Sequence, residues 1–237
     1  MKVAIVGCGG IGYYLAEGIA RTLANLAGEE SEMWFIDGDI IKTKNLDRQF
    51  FRGTQGMNKA EALAALTNER FGSDTLKIRS VPDFVNTESL GHHKGLWLQD
   101  GLALFACVDN HPSRAFLEEH ASHLPNCTVI MGGNDESQGQ AQLYIRRGKR
   151  DVTPKVSEFA PEILCEEGEL PTKDHCLEEA VSEPQTAEVN RAVALAMELL
   201  FRDMAKGGKP EANEIRVDIA KGFMGKFQRK AVFTKEK

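Results

Sequence analysis

The sequence predicts an α/β protein built on a doubly wound mixed sheet, parallel in its first half and closed by antiparallel strands. Two observations lead to this fold class. Short, nearly continuous apolar runs alternate with helix-like stretches through the first half of the chain, as in parallel strands covered on both faces. Further on, Thr128–Met131 and Gln140–Ile145 are separated by a glycine-rich turn too short for a crossover helix, which indicates an antiparallel hairpin.

Each remaining element follows from a local pattern of the chain. Apolar runs predict strands at Val3–Val6, Met33–Ile36, Leu76–Val81, Leu102–Val108, Ile215–Ile219 and Ala231–Phe233. Helix-like stretches between the early strands predict helices at Gly10–Ala27, Gly56–Phe71 and Pro112–Leu124. Because these helices connect parallel strands, we expect right-handed crossovers and a Rossmann-like arrangement.

A last helix is predicted after Ser182, which can act as its N-cap. Pro184 suits the first turn, Gln185 stands at the position of a capping box, and apolar residues from Val189 to Leu200 form one face. Before it, periodicity disappears between about residues 150 and 183, while Pro, Glu and Gly accumulate. We expect this crossover loop to act as a lid or to cross the functional site, because inert connections of that length are uncommon.

Composition narrows the class of protein. A chain of 237 residues is long enough for one domain with a sizeable core, so we expect residues 1–237 to form a single domain. The net charge of −6 does not favour a nucleic-acid partner. We see no signal peptide and no apolar run near the ~20 residues that cross a bilayer. The sequence therefore predicts a cytoplasmic protein without a membrane partner.

The stretch "VGCGGIG" follows the first predicted strand directly and opens a helix. Gly7, Gly9 and Gly12 satisfy the G-x-G-x-x-G pattern, which lets backbone amides and the helix N-terminus approach a phosphate group. Asp37 ends the second strand, where a carboxylate can accept hydrogen bonds from ribose hydroxyls. These residues alone suit a nicotinamide or flavin enzyme at least as well as any other class of protein. The alternative is that the glycines serve only tight packing of the helix.

The next stretch, "DGDIIKTKNLDRQFF", separates these interpretations. It places polar and charged side chains beyond the end of the second strand, beside the expected nucleotide: Asp39, Asn45, Arg48 and Gln49. A dehydrogenase has no general need of them, whereas a triphosphate site can use the planar donors of Arg48. Lys59, at the start of the helix in "GMNKAEALAAL", supplies a second cation.

Asp109 in "CVDNHPSR" stands after the fourth strand, at the carboxyl edge where open α/β sheets bind ligands. A carboxylate at that place can hold Mg²⁺ against nucleotide phosphates. The alternative is that Asp109 caps the helix that starts near Pro112.

Together, "GCGGIG", "DGDIIKTKNLDRQF", "GMNKAEA" and "CVDN" resemble the ThiF-like, or ubiquitin-activating-type, adenylyltransferases through about the first half of the chain. The resemblance implies that ATP and magnesium activate a carboxylate, usually the C-terminus of a ubiquitin-like or sulfur-carrier protein, as an acyl adenylate. It also implies a homodimer.

The resemblance further implies roles for individual residues. Asp37 would bind the ribose, Arg48 and Lys59 would stabilise charge on the reacting phosphates, and Asp109 would hold magnesium. Asn45 and Gln49 would position these groups. The residues expected to line the phosphates are Gly7, Gly9, Gly10 and Gly12.

Some relatives pass the acyl group to a cysteine in the crossover loop. The candidates here are Cys176 and Cys165, although acidic neighbours in sequence would tend to raise a thiol pKa, and an inert cysteine is the alternative. Cys8 and Cys107 are expected to be small core residues.

The chain departs from the family pattern in two respects. Many relatives carry two zinc-binding C-x-x-C pairs, which this chain lacks. Many also have an N-terminal helix that supplies an arginine to the nucleotide of the dimer partner, whereas Met1 here stands two residues before the first predicted strand. Two other hypotheses therefore remain beside the adenylyltransferase: an NAD-dependent oxidoreductase, and a nucleotide-binding scaffold subunit without catalysis.

Overall fold

The computed structural model carries no ligand and describes most of the chain. The described residues are 1–26, 30–46, 49, 51, 55–97, 99–164, 170–171, 186–205 and 210–232.

The elements alternate between strand and helix in the first half of the chain. The strands are β1 (Lys2–Val6), β2 (Ser31–Ile36), β3 (Leu76–Val81), β4 (Leu102–Ala106), β5 (Cys127–Asn134), β6 (Gln138–Arg147), β7 (Arg150–Asp151), β8 (Glu214–Asp218) and β9 (Phe223–Phe227). The helices are α1 (Gly10–Ala24), α2 (Thr43–Leu46), α3 (Lys59–Phe71), α4 (Thr87–His92), α5 (Lys94–Trp97), α6 (His111–Ser122), α7 (Val156–Phe159) and α8 (Ala187–Ala205), and Pro161–Leu164 forms a 3-10 turn.

Among the described residues, the strands form one sheet of nine, in the order β3-β2-β1-β4-β5-β6-β8-β9, with β7 paired to β6. Pairing is parallel from β3 to β5 and antiparallel from β5 onward. The predicted mixed, doubly wound sheet is therefore confirmed. Because β1 has β2 on one side and β4 on the other, the strand order reverses at β1, and such a switch point leaves a crevice at the carboxyl ends of the strands.

Two apolar layers cover the two faces of the sheet. On one face, α1, α3 and α8 pack over Ile5, Phe105 and their neighbours. On the other, α6 and the segment from Val156 to Ile163 pack over side chains such as Leu104 and Val129. α8 runs against α1, β5, β6 and β8. It therefore joins the parallel and antiparallel parts of the sheet.

Element boundaries differ from the predicted ones where side chains cap the helices. α3 begins at Lys59 rather than Gly56, because the Asn58 side chain accepts hydrogen bonds from the amides of Ala60 and Glu61. α8 begins at Ala187, where the Thr186 hydroxyl accepts from the Val189 amide. The predicted cap Ser182, with Pro184 and Gln185, lies outside the described residues.

The predicted closing strand Ala231–Phe233 is wrong. Residues 231 and 232 belong to no strand, residue 233 lies outside the described part, and the last strand is Phe223–Phe227. Gly222, at φ +62°, makes the tight turn that folds β9 back onto β8. Within the described residues, no helix combines the length and the apolar character needed to cross a membrane.

Candidate active site

The glycine turn between β1 and α1 lies at the switch point of the sheet. Gly7 has φ +88°, and a Cβ there would lie 2.6 Å from the Cys107 carbonyl oxygen. A Cβ on Gly12 would collide with the carbonyl oxygen of Gly7. Gly9, in contrast, has open space where a Cβ would point, and it lines the cleft with Gly7 and Gly10.

The N-terminus of α1 faces this cleft without a side-chain cap, and its first turn holds no acidic residue. Its leading amides and the positive end of the helix dipole are therefore suited to an anionic ligand. Gly7 and Gly12 explain the shape of the turn, and Gly9 keeps the cleft open above it.

Asp37 directly follows β2, and its side chain links the end of β2 to the turn after β1. Its carboxylate accepts hydrogen bonds from the Cys8 amide at 2.7 Å and from the Asp39 amide at 2.8 Å. Burial raises the pKa of Asp37, an effect that the amide bonds and the nearby Lys59 ammonium oppose. Each oxygen has a further lone pair, so the carboxylate can also accept from a ligand hydroxyl.

Lys59 is held in the cleft by Asp39. Its Nζ lies 2.6 Å from Asp39 Oδ2, and its side chain is only 12% exposed. Burial by itself would lower the pKa of Lys59, but the carboxylates of Asp37, Asp39 and Asp109 outweigh it and raise the pKa. The lysine is therefore a fixed positive charge among carboxylates.

Asn58 contributes to the site although its role was missed in the sequence. While its Oδ1 caps α3, its Nδ2 donates to the carbonyl oxygens of Asp37 and Asp39 at 2.8 and 3.0 Å. The side chain thus ties the end of β2 to the helix that carries Lys59. Its place before the α3 helical pattern was the available signal, because Asn is a preferred N-cap.

Asp109 lies after β4, exposed at the cleft. Asn110, not Asp109, caps α6 by accepting from the Ser113 amide at 2.8 Å. The alternative that Asp109 is the cap is therefore wrong. Nearby, Arg114 was also missed, and its guanidinium donates to the carbonyl oxygens of Val108 and Gly132.

An apolar wall on the β3 side of the cleft is a further feature that the sequence did not reveal. The Phe84 ring occupies the space where a side chain on Gly38 would point, and Phe84 and Val85 line the cleft. Pro171 also lines it, and its carbonyl oxygen accepts from Asn86 Nδ2 at 3.4 Å. Part of the segment expected to cross the site does reach it.

The other predicted site residues are placed as follows. Asn45 Oδ1 accepts from the Lys42 amide, and Gln49 is buried. Neither is among the described residues that line the cleft. Arg48, Cys165 and Cys176 lie outside the described residues.

The surroundings of the two cysteines that follow β1 and β4 raise the pKa of both thiols. Burial raises the pKa of the Cys8 thiol well above its ordinary value, and the Asp37 carboxylate adds to this effect. Burial also raises the pKa of Cys107, although Arg114 opposes it. Both thiols therefore stay protonated near neutral pH, as expected for small core residues.

A glycine turn, an uncapped helix N-terminus and polar side chains from three strand ends define a nucleotide-type site on a doubly wound α/β fold. The family model described as the ThiF family matches residues 1–214. The chain therefore belongs to the ThiF family.

Curated relatives match about three fifths of the chain. It is 27% identical over 147 residues to the adenylyltransferase and sulfurtransferase MOCS3 of Mus musculus, a match that covers 62% of this chain and 29% of that protein. It is 28% identical over 157 residues to ubiquitin-like modifier-activating enzyme 5 of Arabidopsis thaliana, covering 61% of this chain and 35% of that protein. The chain thus spans about a third of the length of these relatives.

Solved structures share the fold over nearly the whole chain. The crystal structure of E. coli MccB with ATP matches with a TM-score of 0.67 at 19% identity, over 98% of this chain and 65% of that one. PaaA also matches with a TM-score of 0.67, at 16% identity, over 96% of this chain and 63% of that one.

Proposed function

We propose that this protein is an ATP-dependent adenylyltransferase that activates the C-terminal carboxylate of a small ubiquitin-like or sulfur-carrier protein as an acyl adenylate. One observation carries the proposal: the ends of β1, β2 and β4 bring the glycine turn, the Lys59–Asp39 pair and Asp109 to a single cleft. The names of the relatives, an adenylyltransferase and a ubiquitin-like modifier-activating enzyme, agree with this chemistry.

The cleft fits a nucleotide by its shape and polarity. The open space at Gly9 and the amides of α1 suit the phosphates, which Gly7 and Gly10 would approach with backbone alone, whereas Gly12 is buried beneath the turn and does not line the cleft. Asp37 would accept hydrogen bonds from the ribose hydroxyls, and the wall formed by Phe84 and Val85 would receive the base.

The cleft also fits Mg²⁺. In the described part of the chain, carboxylates outnumber cationic side chains along the cleft, which is lined by Asp37, Asp39, Asp83 and Asp109 but only by Lys59 and Arg114 as cations. A bound triphosphate would therefore need further positive charge. Among the described residues no cluster of three or more His, Cys, Asp or Glu could hold a metal alone. Asp109 would therefore share the ion with phosphate oxygens, as Mg²⁺ sites commonly do. When bound, the ion would neutralise phosphate charge.

In the reaction, a carboxylate oxygen of the substrate forms a bond to the α-phosphorus of ATP. The bond from that phosphorus to the bridging oxygen breaks, and pyrophosphate leaves with the electron pair. Lys59 and Arg48 would stabilise the charge that moves from the α-phosphate to the pyrophosphate, while Asn45 and Gln49 would position the surrounding loop. The protein contributes mainly orientation and electrostatic stabilisation.

Several finer features belong to the same proposal. The site is proposed to operate in a homodimer in the cytoplasm. Cys176 is the first candidate for a thioester with the acyl group, and Cys165 is the second.

Thermal unfolding with added nucleotide tests the proposal. Saturating Mg²⁺–ATP at about 100 times its Kd should stabilise the protein by roughly 2.7 kcal/mol, and NADH should not stabilise it. Asp109→Ala should abolish the part of this stabilisation that depends on Mg²⁺. Asp74→Ala also removes an exposed carboxylate, but one that does not line the cleft, and should leave the stabilisation intact.

The outcomes separate the competing hypotheses. Stabilisation by NADH alone would mean that the protein is an oxidoreductase. Stabilisation by Mg²⁺–ATP without pyrophosphate release, in the presence of its carrier-protein partner, would mean that it is a nucleotide-binding scaffold.

A further inference from the structure

A second groove opens directly beside the nucleotide cleft. It shares Asp109, Arg114 and Asn134 with the cleft and continues over β5, β6 and β8 to Arg216. This is the face of the sheet opposite α8, because the alternate residues Ile215 and Val217 pack in the core that includes α8. The groove therefore leads across the sheet, away from the reacting phosphates.

One row of paired residues forms the floor of this groove. Gly133 of β5 pairs with Gln140 of β6, and Gln140 pairs with Arg216 of β8. The Arg114 guanidinium lies over Gly133, where a Cβ would approach it to 3.1 Å. Two strand spacings of about 4.8 Å separate Gly133 from Arg216, so an extended chain needs about three residues to cover the distance.

Arg216 is held in a defined position at the far end of the row. Its Nε donates to Glu214 Oε2 at 3.1 Å, and its guanidinium lies 5.6 Å from the centre of the Phe227 ring. Glu214 is almost fully buried, with 1% of its side chain exposed, whereas Arg216 is 47% exposed. A buried carboxylate and an aromatic face thus orient an arginine that solvent can still reach.

The charge around Arg216 is not balanced by Glu214. Arg229 also binds Glu214 Oε2, at 3.3 Å, so two guanidinium groups share one carboxylate and the cluster keeps one net positive charge. The nearby Asp218 is engaged by Lys221 at 2.9 Å. Asp135 accepts from the amides of the β5–β6 turn. Along the whole groove the carboxylates of Asp109 and Asp135 match the guanidinium groups of Arg114 and Arg216 in number. The positive charge is therefore local to the far end, where an exposed and oriented Arg216 is suited to a carboxylate from a ligand.

We infer that the groove takes the acyl substrate as an extended polypeptide C-terminus, and that Arg216 selects an acidic side chain about three residues before the reacting carboxylate. The inference rests on the proposed function, because it places the reacting carboxylate beside Asp109 and the nucleotide. Arg216 is a specificity-determining residue in this scheme and takes no part in the chemical step.

Peptide binding tests this inference without requiring turnover. The probes are fluorescent alanine-based octapeptides with a free C-terminal carboxylate and Glu, Gln or Lys fourth from the end, measured by fluorescence anisotropy at low salt. The Glu peptide should bind about tenfold more tightly than the Gln peptide, since a charge-assisted pair with arginine is formed only by Glu. Arg216→Gln should remove the difference, and Arg216→Glu should reverse it in favour of Lys.

Lys226→Gln is the matched control, because it removes a cation from the opposite face of neighbouring β9, where Lys226 pairs with Asp203. It should leave the preference unchanged. Thermal stabilisation by Mg²⁺–ATP should be retained in the Arg216 variants, which shows that they are folded and that the nucleotide site is separate. If an Arg216 variant unfolds, Arg216→Lys replaces it, since lysine keeps the positive charge but lacks the planar set of guanidinium donors. This variant should give an intermediate preference for the Glu peptide.

Equal affinity of the wild-type protein for Glu and Gln peptides, or no binding of the Glu peptide at millimolar concentration, would overturn the inference. Failure of the proposed function would give a different experimental result. In that case Mg²⁺–ATP and hydroxylamine would yield no peptide hydroxamate, although the Glu peptide binds through Arg216.

Discussion

At the scale of single residues, the site depends on contacts between side chains and the backbone of neighbouring strands. The Asp37 carboxylate receives the Cys8 amide from the β1 turn and the Asp39 amide from its own loop. Lys59 then pairs with Asp39. A single chain of contacts therefore sets the distance between the glycine turn and the cation.

The glycines of the turn should respond differently to alanine. Gly12→Ala should lower the free energy of unfolding by about 1–3 kcal/mol, because its methyl group would collide with the backbone carbonyl oxygen of Gly7. Gly9→Ala adds a methyl group into open space at the cleft, so we expect little change in unfolding free energy but weaker Mg²⁺–ATP binding. Urea denaturation and calorimetric titration measure the two quantities. Equal effects of both variants on stability would contradict this account of the turn.

At the scale of elements, two side chains connect helices to segments that reach the site. Asn58 joins the start of α3 to the loop after β2, as described above. Glu118 of α6 receives the Val156 and Ser157 amides at the start of α7, and so anchors the beginning of the segment that leads toward Pro171. Both contacts connect elements that are distant along the chain.

Variants of Asn58 can separate its two roles. Asn58→Ala should cost about 1–2 kcal/mol of unfolding free energy, since α3 loses its cap. Asn58→Ser restores a capping oxygen, but its single hydroxyl proton on a shorter side chain cannot replace the two bonds that the Asn58 amide donates to the carbonyls of Asp37 and Asp39. The serine variant should therefore recover stability without recovering Mg²⁺–ATP affinity. Full recovery of both would show that the two donated bonds do not matter for the site.

Glu118 should make stability depend on pH. Burial raises its pKa, an effect that the Ser157 and Val156 contacts and Lys155 oppose. Because the folded state then holds the proton more tightly than the unfolded state, the contribution of Glu118 is complete below its ordinary pKa of about 4.3 and is lost as pH rises through the folded pKa. Between these values the unfolding free energy of the wild type should fall relative to Glu118→Gln. Parallel pH profiles of the two proteins would refute this.

At the scale of the whole molecule, the mixed sheet places two different surfaces next to each other. Its parallel half ends in the cleft at β1, β2 and β4 that is proposed to bind the nucleotide, and its antiparallel half presents the groove that ends at Arg216. Light scattering coupled to size exclusion tests the proposed homodimer. A mass near twice 26.2 kDa is expected, and a monomer mass at micromolar concentration would contradict it.

Much of the fold could be predicted because it depends on local patterns. The parallel strands are continuous apolar runs, and β3 was predicted to the residue at Leu76–Val81. The closing strand was misplaced because residues 231 and 232 pair with no strand, and the Val232 amide instead donates to the Glu158 carbonyl oxygen, whereas Phe223–Phe227 pairs with β8 through the turn at Gly222. β9 has the sequence FMGKF, and its apolar residues do not alternate with polar ones, so it has little periodic signal of its own.

The sequence by itself determined the fold class, the family and the residues of the glycine turn, because these depend on spacing along the chain. Only the tertiary structure decided that Asn110 rather than Asp109 caps α6, that Asn58 ties the end of β2 to α3, and that Arg216 lies in a row with Gly133. For Asn58 and Arg216 the physical reason is that their neighbours come from elements far apart in sequence, which no local pattern specifies. For Asn110 the choice between two adjacent capping residues was made by the extended backbone at the start of α6.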